Sequence, residues 1–133
     1  MNDLPSDGDG TGPASGSRGS VLLVEDDPLG AEAMSALLES LGWRVLHAID
    51  AESALERLET DADVDVVLTD IAMPGDFDGA ELAVHLRTTR PGLRVVLVTG
   101  RVDKVHRAVG DGFELLPKPC SPAELAAALE PRR

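Results

Sequence analysis

Short apolar runs alternate with segments of helical periodicity along most of this chain, and that alternation restricts the fold more than any other feature. Uninterrupted apolar runs occur at 21–24 and 95–98 and within 64–69, which is typical of strands buried on both faces. Between the runs, apolar residues recur at intervals of three and four, as at Met34, Leu37, Leu38 and Leu41. This spacing predicts helices that bury one side.

From residue 20 onward we predict an α/β fold, a doubly wound five-stranded parallel sheet with helices on both faces. The predicted strands are centred on 21–24, 45–46, 64–69, 95–98 and 113–116. About five helices accompany these strands, and the weakest helical pattern covers 102–109. Parallel strands need such crossovers, because a short turn can join only antiparallel neighbours.

Three local signals mark the ends of predicted helices. Asp50 precedes a helical pattern and is a predicted N-cap. Ser121 is a second predicted N-cap, with Pro122 at the first helical position and Glu124 completing a capping box. Gly42 follows the first helical pattern, where a helix is expected to end.

The beginning of the chain differs in composition from the rest. The first 19 residues are rich in Gly, Ser, Pro and Asp and contain no apolar run. Such a segment cannot bury enough apolar surface to fold, so we predict a disordered tail or linker over 1–19 and one folded domain over 20–133. The same composition does not resemble a secretory signal.

Charge and cysteine content restrict the partners and the cellular compartment. The net charge is −12, whereas binding to nucleic acid or to an anionic membrane requires clustered Lys and Arg. No apolar run reaches the roughly 18 residues of a membrane span. The single cysteine, Cys120, excludes an internal disulfide, which fits a reducing compartment. We therefore predict a cytoplasmic protein with protein partners, which binds neither nucleic acid nor membrane.

Polar and charged side chains stand where the predicted strands end. Glu25 and Asp26 follow the first strand, and Asp70 follows the third. Thr99 follows the fourth strand and Lys118 follows the fifth. The carboxyl ends of parallel strands meet at one edge of the sheet, where ligands bind in this class of fold. We expect these five side chains to converge there.

The chemistry of this set favours phosphoryl transfer. Neighbouring carboxylates repel one another unless a cation neutralises them, and Mg²⁺ takes oxygen ligands from one or two carboxylates while keeping several waters. An aspartate carboxylate can act as a nucleophile and form an acyl phosphate. A lysine and a hydroxyl supply a charge and a donor for phosphoryl oxygens. The residues thus favour Mg²⁺-dependent phosphoryl transfer onto Asp70.

Four motifs, in this order and at suitable spacing, resemble those of response-regulator receiver domains of two-component signalling systems. They are Val-Glu-Asp-Asp-Pro (24–28), Leu-Thr-Asp-Ile-Ala-Met-Pro-Gly (68–75), Val-Thr-Gly (98–100) and Pro-Lys-Pro (117–119). The resemblance covers about residues 20–130. It implies a flavodoxin-like sheet with strand order 2-1-3-4-5.

The resemblance also implies roles for the acidic residues. Asp70 matches the phosphoacceptor, and Glu25 and Asp26 match residues that help to hold Mg²⁺ together with Asp70. The backbone carbonyl of Ala72 matches a further metal ligand. Asp27, the third acidic residue of its run, matches no ligand position and is interpreted as surface charge.

Two more residues receive roles through the same resemblance. Lys118 matches the lysine that contacts the phosphoryl group, and Thr99 matches the switch hydroxyl. The bond between Lys118 and Pro119 is expected to be cis in this family, and proline is the residue that permits it.

The resemblance implies that a sensor histidine kinase or a histidine phosphotransfer protein donates the phosphoryl group. Beyond its own phosphorylation and slow self-dephosphorylation, the protein is not predicted to be an enzyme. The sequence contains no recognisable DNA-binding or enzymatic output segment, so output by protein–protein contact or phosphorelay is expected. An alternative is a receiver domain excerpted from a hybrid histidine kinase, with 1–19 as its linker.

Three features depart from the family pattern. Leu115 occupies the position, three residues before the lysine, that usually carries Tyr or Phe. The interval from Thr99 to Lys118 is short, which predicts a small or mobile helix within it. The loop 73–79 is about one residue longer than usual. These departures concern how the signal is passed on, not the phosphorylation chemistry.

Two other classes of protein remain as alternatives. A phosphatase resembling haloacid dehalogenases also uses an aspartate nucleophile, but it needs a second aspartate two positions later, where Ala72 stands. A receiver-like binding module that is never phosphorylated would share the fold without the chemistry. The intact acidic cluster argues against such a module, and failure to bind Mg²⁺ would favour it.

Overall fold

The computed structural model describes residues 18–61, 63–71, 77–100, 113–118 and 120–130. The five strands in these ranges are β1 (Gly19–Val24), β2 (Trp43–Ala48), β3 (Val66–Asp70), β4 (Arg94–Thr99) and β5 (Glu114–Pro117). The four helices there are α1 (Pro28–Ser40), α2 (Ala51–Thr60), α3 (Gly79–Thr89) and α4 (Pro122–Ala128). The predicted helix at 102–109 and the predicted cis bond at Pro119 lie outside the described residues, as do residues 1–17.

All five strands are parallel, and their order in the sheet is β2-β1-β3-β4-β5. This confirms the predicted fold class and strand order. The register aligns the carboxyl ends, because Val24 pairs with Thr69 on β3 and Asp70 pairs with Val98 on β4. Thr99, the last residue of β4, pairs with Pro117 at the end of β5. The residues that follow these strands therefore meet at one edge.

Helices cover both faces of the sheet. On one face, α1 and α4 pack on alternate strand residues, including Leu23, Leu68 and Val96. On the other face, α2 and α3 pack on the intervening residues, including Leu22 and Val67. Burial on both faces explains why the strands are continuous apolar runs rather than alternating patterns. No described helix combines the length and the apolar character that a membrane crossing requires.

The predicted helix ends are confirmed at three places. The Asp50 carboxylate accepts the Ser53 backbone N–H at 2.8 Å, and Ser121 Oγ accepts the Glu124 backbone N–H at 3.1 Å. Helix α1 ends just before Gly42, whose positive φ of 96° is a conformation that favours glycine. These caps are readable from sequence because each involves residues within a few positions of one another.

The beginning of β3 differs from the prediction. The apolar run from 64 onward predicted a strand that started there, but β3 starts at Val66 and extends through Asp70. Asp65 instead forms two hydrogen bonds with Ser20, whose backbone N–H it accepts at 2.8 Å and to whose carbonyl it donates at 2.9 Å. The side-chain bond ties the chain to β1 in a way that apolar periodicity does not reveal.

Candidate functional site

Lys118 reaches from the end of β5 to the acidic residues at the ends of β1 and β3. Its Nζ donates to Glu25 Oε1 at 2.8 Å and to Asp70 Oδ2 at 2.7 Å. Its own backbone N–H donates to the Thr99 carbonyl at 2.9 Å, which extends the β4–β5 pairing by one residue. The long side chain thus spans from the end of β5, past β4 and β3, to the end of β1.

Three carboxylates converge beside this ammonium group. Glu25, Asp26 and Asp70 each present one oxygen within 4.8 Å of the others. Together with Lys118, the three carboxylates carry two net negative charges, which one divalent cation would balance. Because Mg²⁺ prefers carboxylate oxygens and retains waters, the donor set fits a Mg²⁺ site.

Glu25 is held in its ionised form by its neighbours. Its side chain is only 6% exposed. Such burial alone would raise the pKa of Glu25, but hydrogen bonds from Lys118 and from the Asp27 backbone N–H outweigh burial and lower it. The carboxylate therefore stays charged at neutral pH and can bind a cation.

Lys118 is likewise held in its charged form. Partial burial would lower the pKa of Lys118, but the hydrogen bonds to Asp70 and Glu25 outweigh burial and raise that pKa. A charged ammonium at 2.7 Å from Asp70 is placed to meet any anionic group attached to that carboxylate.

Thr99 lies at the same edge, as the last residue of β4. It is 6% exposed, and its backbone carbonyl receives the Lys118 N–H. The structure therefore brings Glu25, Asp26, Asp70 and Lys118 together and places Thr99 on the neighbouring strand end. Ala72, the predicted backbone ligand, lies outside the described residues.

Asp27 has a role that the sequence analysis missed. It is exposed, as predicted for surface charge, but its carboxylate also accepts the Gly30 backbone N–H at 3.3 Å and caps α1. An aspartate directly before a proline at the first helical position is a typical N-cap signal. That signal was available in the sequence.

Leu115 replaces the usual aromatic side chain and faces α3. It pairs with Leu97 on β4 and packs in a cluster with Ile71, Ala83 and Phe113. The Arg87 guanidinium lies over the Phe113 ring, 3.9 Å from its centroid. Phe113, which directly precedes β5, therefore lies two positions before residue 115, where the family usually has Tyr or Phe.

A cavity of about 400 Å³ opens between the acidic cluster and α1. Its polar end includes Glu25, Asp70 and Lys118, and its apolar wall includes Met34 and Cys120. Burial and the nearby Glu124 carboxylate raise the pKa of the Cys120 thiol. This thiol is therefore a weak nucleophile at neutral pH.

The fold is a doubly wound α/β domain, and a lysine bridges the acidic residues at the carboxyl edge of its sheet. These two features together are typical of one class of protein. The protein-family model described as "Response regulator receiver domain" matches residues 21–130. The chain therefore belongs to the receiver-domain family of two-component response regulators.

A curated relative supports the assignment to the receiver-domain family. The transcriptional regulatory protein AruR of Pseudomonas aeruginosa is 38% identical over an alignment 114 residues long, which covers 80% of this chain and 46% of the relative. The chain thus spans about half the length of that curated relative.

Two solved structures are similar in fold. A receiver domain protein from Clostridium thermocellum superposes with a TM-score of 0.76 at 27% identity, covering 84% of this chain and 90% of the other. The receiver domain of a sensor histidine kinase from Pseudomonas aeruginosa, with magnesium coordinated in its active-site cleft, gives 0.73 at 29% identity, covering 84% and 93%.

Proposed function

We propose that Asp70 accepts a phosphoryl group from a sensor histidine kinase or a histidine phosphotransfer protein. The observation that carries the proposal is the Lys118 ammonium bound to both Asp70 and Glu25 beside a three-carboxylate cluster. A lysine that only stabilised the fold would not need a cluster with excess negative charge next to it. Excess negative charge in a cleft is instead suited to a metal-assisted reaction with an anionic substrate.

In the proposed reaction an Asp70 carboxylate oxygen attacks the phosphorus of the donor phosphohistidine. The new P–O bond forms as the P–N bond breaks, and the imidazole leaves with its electron pair. The product is an acyl phosphate on Asp70. Lys118 already contacts Asp70 Oδ2, so its ammonium can follow the transferred group and donate to a phosphoryl oxygen.

Glu25, Asp26 and Asp70 would hold the Mg²⁺ ion, with the Ala72 carbonyl as a proposed further ligand. When bound, the ion supplies positive charge to the phosphoryl oxygens. Glu25 contributes a carboxylate that hydrogen bonds keep ionised. We propose that Thr99 donates its hydroxyl to the phosphorylated site from the end of β4.

The wider role of the chain forms part of the same proposal. We propose a cytoplasmic regulator with slow self-dephosphorylation, a folded domain over 20–133 and a linker or tail over 1–19. Output would pass through protein contact or phosphorelay. The chain spans less than half of a relative named as a transcriptional regulatory protein, so the absence of nucleic-acid binding stays a prediction. The similar receiver domain of a sensor histidine kinase keeps the hybrid-kinase alternative open.

The test is intact-mass spectrometry after incubation with acetyl phosphate, with and without Mg²⁺. We expect one Mg²⁺-dependent phosphoryl adduct on the wild type and none on Asp70→Asn. Asp63→Asn is the matched control, because Asp63 is an exposed aspartate before β3, at the opposite edge. This control should be phosphorylated like the wild type.

A wild type without adduct would be tested again with phosphorylated histidine kinases as donors. If it still gained no phosphoryl group and bound no Mg²⁺, the proposal would be wrong. The chain would then be a receiver-like binding module.

A further inference from the structure

The beginning of α3 lies directly against the backbone of Asp70. A Cβ atom added to Gly79 would overlap the Asp70 carbonyl oxygen and lie 2.7 Å from the carbonyl carbon and 3.0 Å from Ile71 Cα. All three of these neighbours are backbone atoms, which cannot rotate away as the end of a flexible side chain can. Only glycine fits at this position without moving the strand end or the helix.

Other contacts hold the same short stretch of backbone. Thr69 Oγ1 donates to the Asp70 carbonyl at 3.1 Å, and the Ile71 N–H donates to the Val98 carbonyl at 2.9 Å. The Gly79 N–H donates to the Ile71 carbonyl at 3.0 Å. The Asp70 carbonyl and the N–H and carbonyl of Ile71 are thus held by β3, by β4 and by the start of α3.

This fixation matters for the orientation of the Asp70 side chain. The side chain is 13% exposed and meets Lys118 at 2.7 Å, so its position depends on where the backbone holds its Cα. Displacement of a reacting group by about 1 Å can lower a rate by about a hundredfold. A side chain at position 79 would displace this backbone or push α3 outward.

We propose that Gly79 is a positioning residue for phosphoryl transfer and acts through the backbone of Asp70. The inference rests on the proposed role of Asp70 as phosphoacceptor. In this proposal the close contact between Gly79 and the Asp70 backbone helps to orient the nucleophile.

The experiment compares Gly79→Ala with Gly92→Ala, a matched change beyond the other end of α3. A Cβ at Gly92 would meet nothing within 4 Å. With acetyl phosphate and saturating Mg²⁺, we expect Gly79→Ala to lower the maximal phosphorylation rate at least about tenfold. Gly92→Ala should react like the wild type. The Mg²⁺ dissociation constant of Gly79→Ala should change less than its rate, because two of the three proposed carboxylate ligands, Glu25 and Asp26, follow β1 and not β3.

A third variant separates positioning from helix stability. Asp78 caps α3 by accepting the Glu81 N–H at 3.0 Å, so Asp78→Ala weakens the same helix start without adding an atom beside Asp70. We expect Asp78→Ala to lower the melting temperature and to leave the maximal rate nearly unchanged. If Asp78→Ala slowed the reaction as much as Gly79→Ala, Gly79 would serve helix stability alone and the proposal would be wrong.

Thr69→Val decides the question if Gly79→Ala does not fold. It removes the hydrogen bond to the Asp70 carbonyl while keeping the branched shape and the number of heavy atoms of the side chain, and we expect it to slow phosphorylation severalfold. An unchanged rate in a folded Thr69→Val would overturn the inference, as would a wild-type rate in a folded Gly79→Ala. A wild type that is never phosphorylated would overturn the proposed function and this inference together.

Discussion

The two edges of the sheet use charge in opposite ways. At the amino edge, Arg94 pairs with Glu114 through two hydrogen bonds of 3.0 and 3.1 Å and also donates to the carbonyls of Ala128 and Glu130 at the end of α4. At the carboxyl edge, Lys118 meets Glu25 and Asp70 with Asp26 close by. Arg94 at the amino edge pairs with one carboxylate, whereas Lys118 at the carboxyl edge lies beside three carboxylates.

We interpret the Arg94 contacts at the amino edge as structural and the Lys118 cluster at the carboxyl edge as functional. The Arg94 contacts tie β4, β5 and α4 together, and all of them favour the folded state. At the carboxyl edge one ammonium lies beside three carboxylates, so repulsion between the carboxylates remains that a further cation would relieve. We therefore expect substitution of Arg94 at the amino edge to change stability, and substitution of Lys118 or the three clustered carboxylates at the carboxyl edge to change phosphorylation.

Lys118→Met gives the largest expected effect and tests the functional edge. It should lower the phosphorylation rate by about a hundredfold, because a charge aimed at the phosphoryl group is lost. Mg²⁺ should bind at least as tightly as in the wild type, because a nearby positive charge is removed. Acetyl-phosphate kinetics and calorimetric Mg²⁺ titration measure both quantities. A wild-type rate would show that Lys118 has only a structural role.

Arg94→Met tests the structural edge. It should lower the free energy of unfolding by about 2 kcal/mol, since Glu114 and two helix-end carbonyls lose a charged donor. Urea unfolding measures this change, and the phosphorylation rate of the folded variant should stay near that of the wild type.

Arg57→Met is the control for this prediction. The largely solvent-accessible pair of Arg57 with Asp61, at the end of α2, should contribute less than about 0.5 kcal/mol. Equal losses from the two variants would contradict the special role assigned to Arg94.

Asp50 lies at the carboxyl edge but makes a purely structural contact, so it tests whether position at this edge alone makes a carboxylate functional. The Ser53 backbone N–H, followed by the Ser53 hydroxyl, lowers the pKa of Asp50. A carboxylate with a lowered pKa stabilises the fold above its unfolded pKa, and this contribution is lost as the pH falls through the folded pKa. Asp50→Ala should therefore cost about 1 kcal/mol at neutral pH, and less below about pH 4.

Urea unfolding at several pH values checks this prediction. Asp50→Asn retains a capping oxygen without the titrating charge and is the matched comparison. Its difference from Asp50→Ala should not change with pH. A phosphorylation defect in either variant would contradict the division between structural and functional carboxylates.

Local patterns predicted much of the fold and the members of the site. The strand runs, the N-caps Asp50 and Ser121 and the strand-end positions of Asp70 and Lys118 all follow from residues close together in sequence. The missed cap at Asp27 was also local and could have been found. The start of β3 could not, because it depends on a hydrogen bond between Asp65 and Ser20, which are 45 positions apart.

The alternation of strands and helices follows from local sequence, because apolar periodicity and helix caps act over a few residues. The local sequence also shows which charged groups stand at strand ends. Two contacts emerge only from the folded chain: Lys118 reaches Asp70 and Glu25, which are 48 and 93 positions away, and Gly79 lies against the Asp70 backbone. Such distances depend on sheet order, register and helix packing, which arise only when the whole core forms.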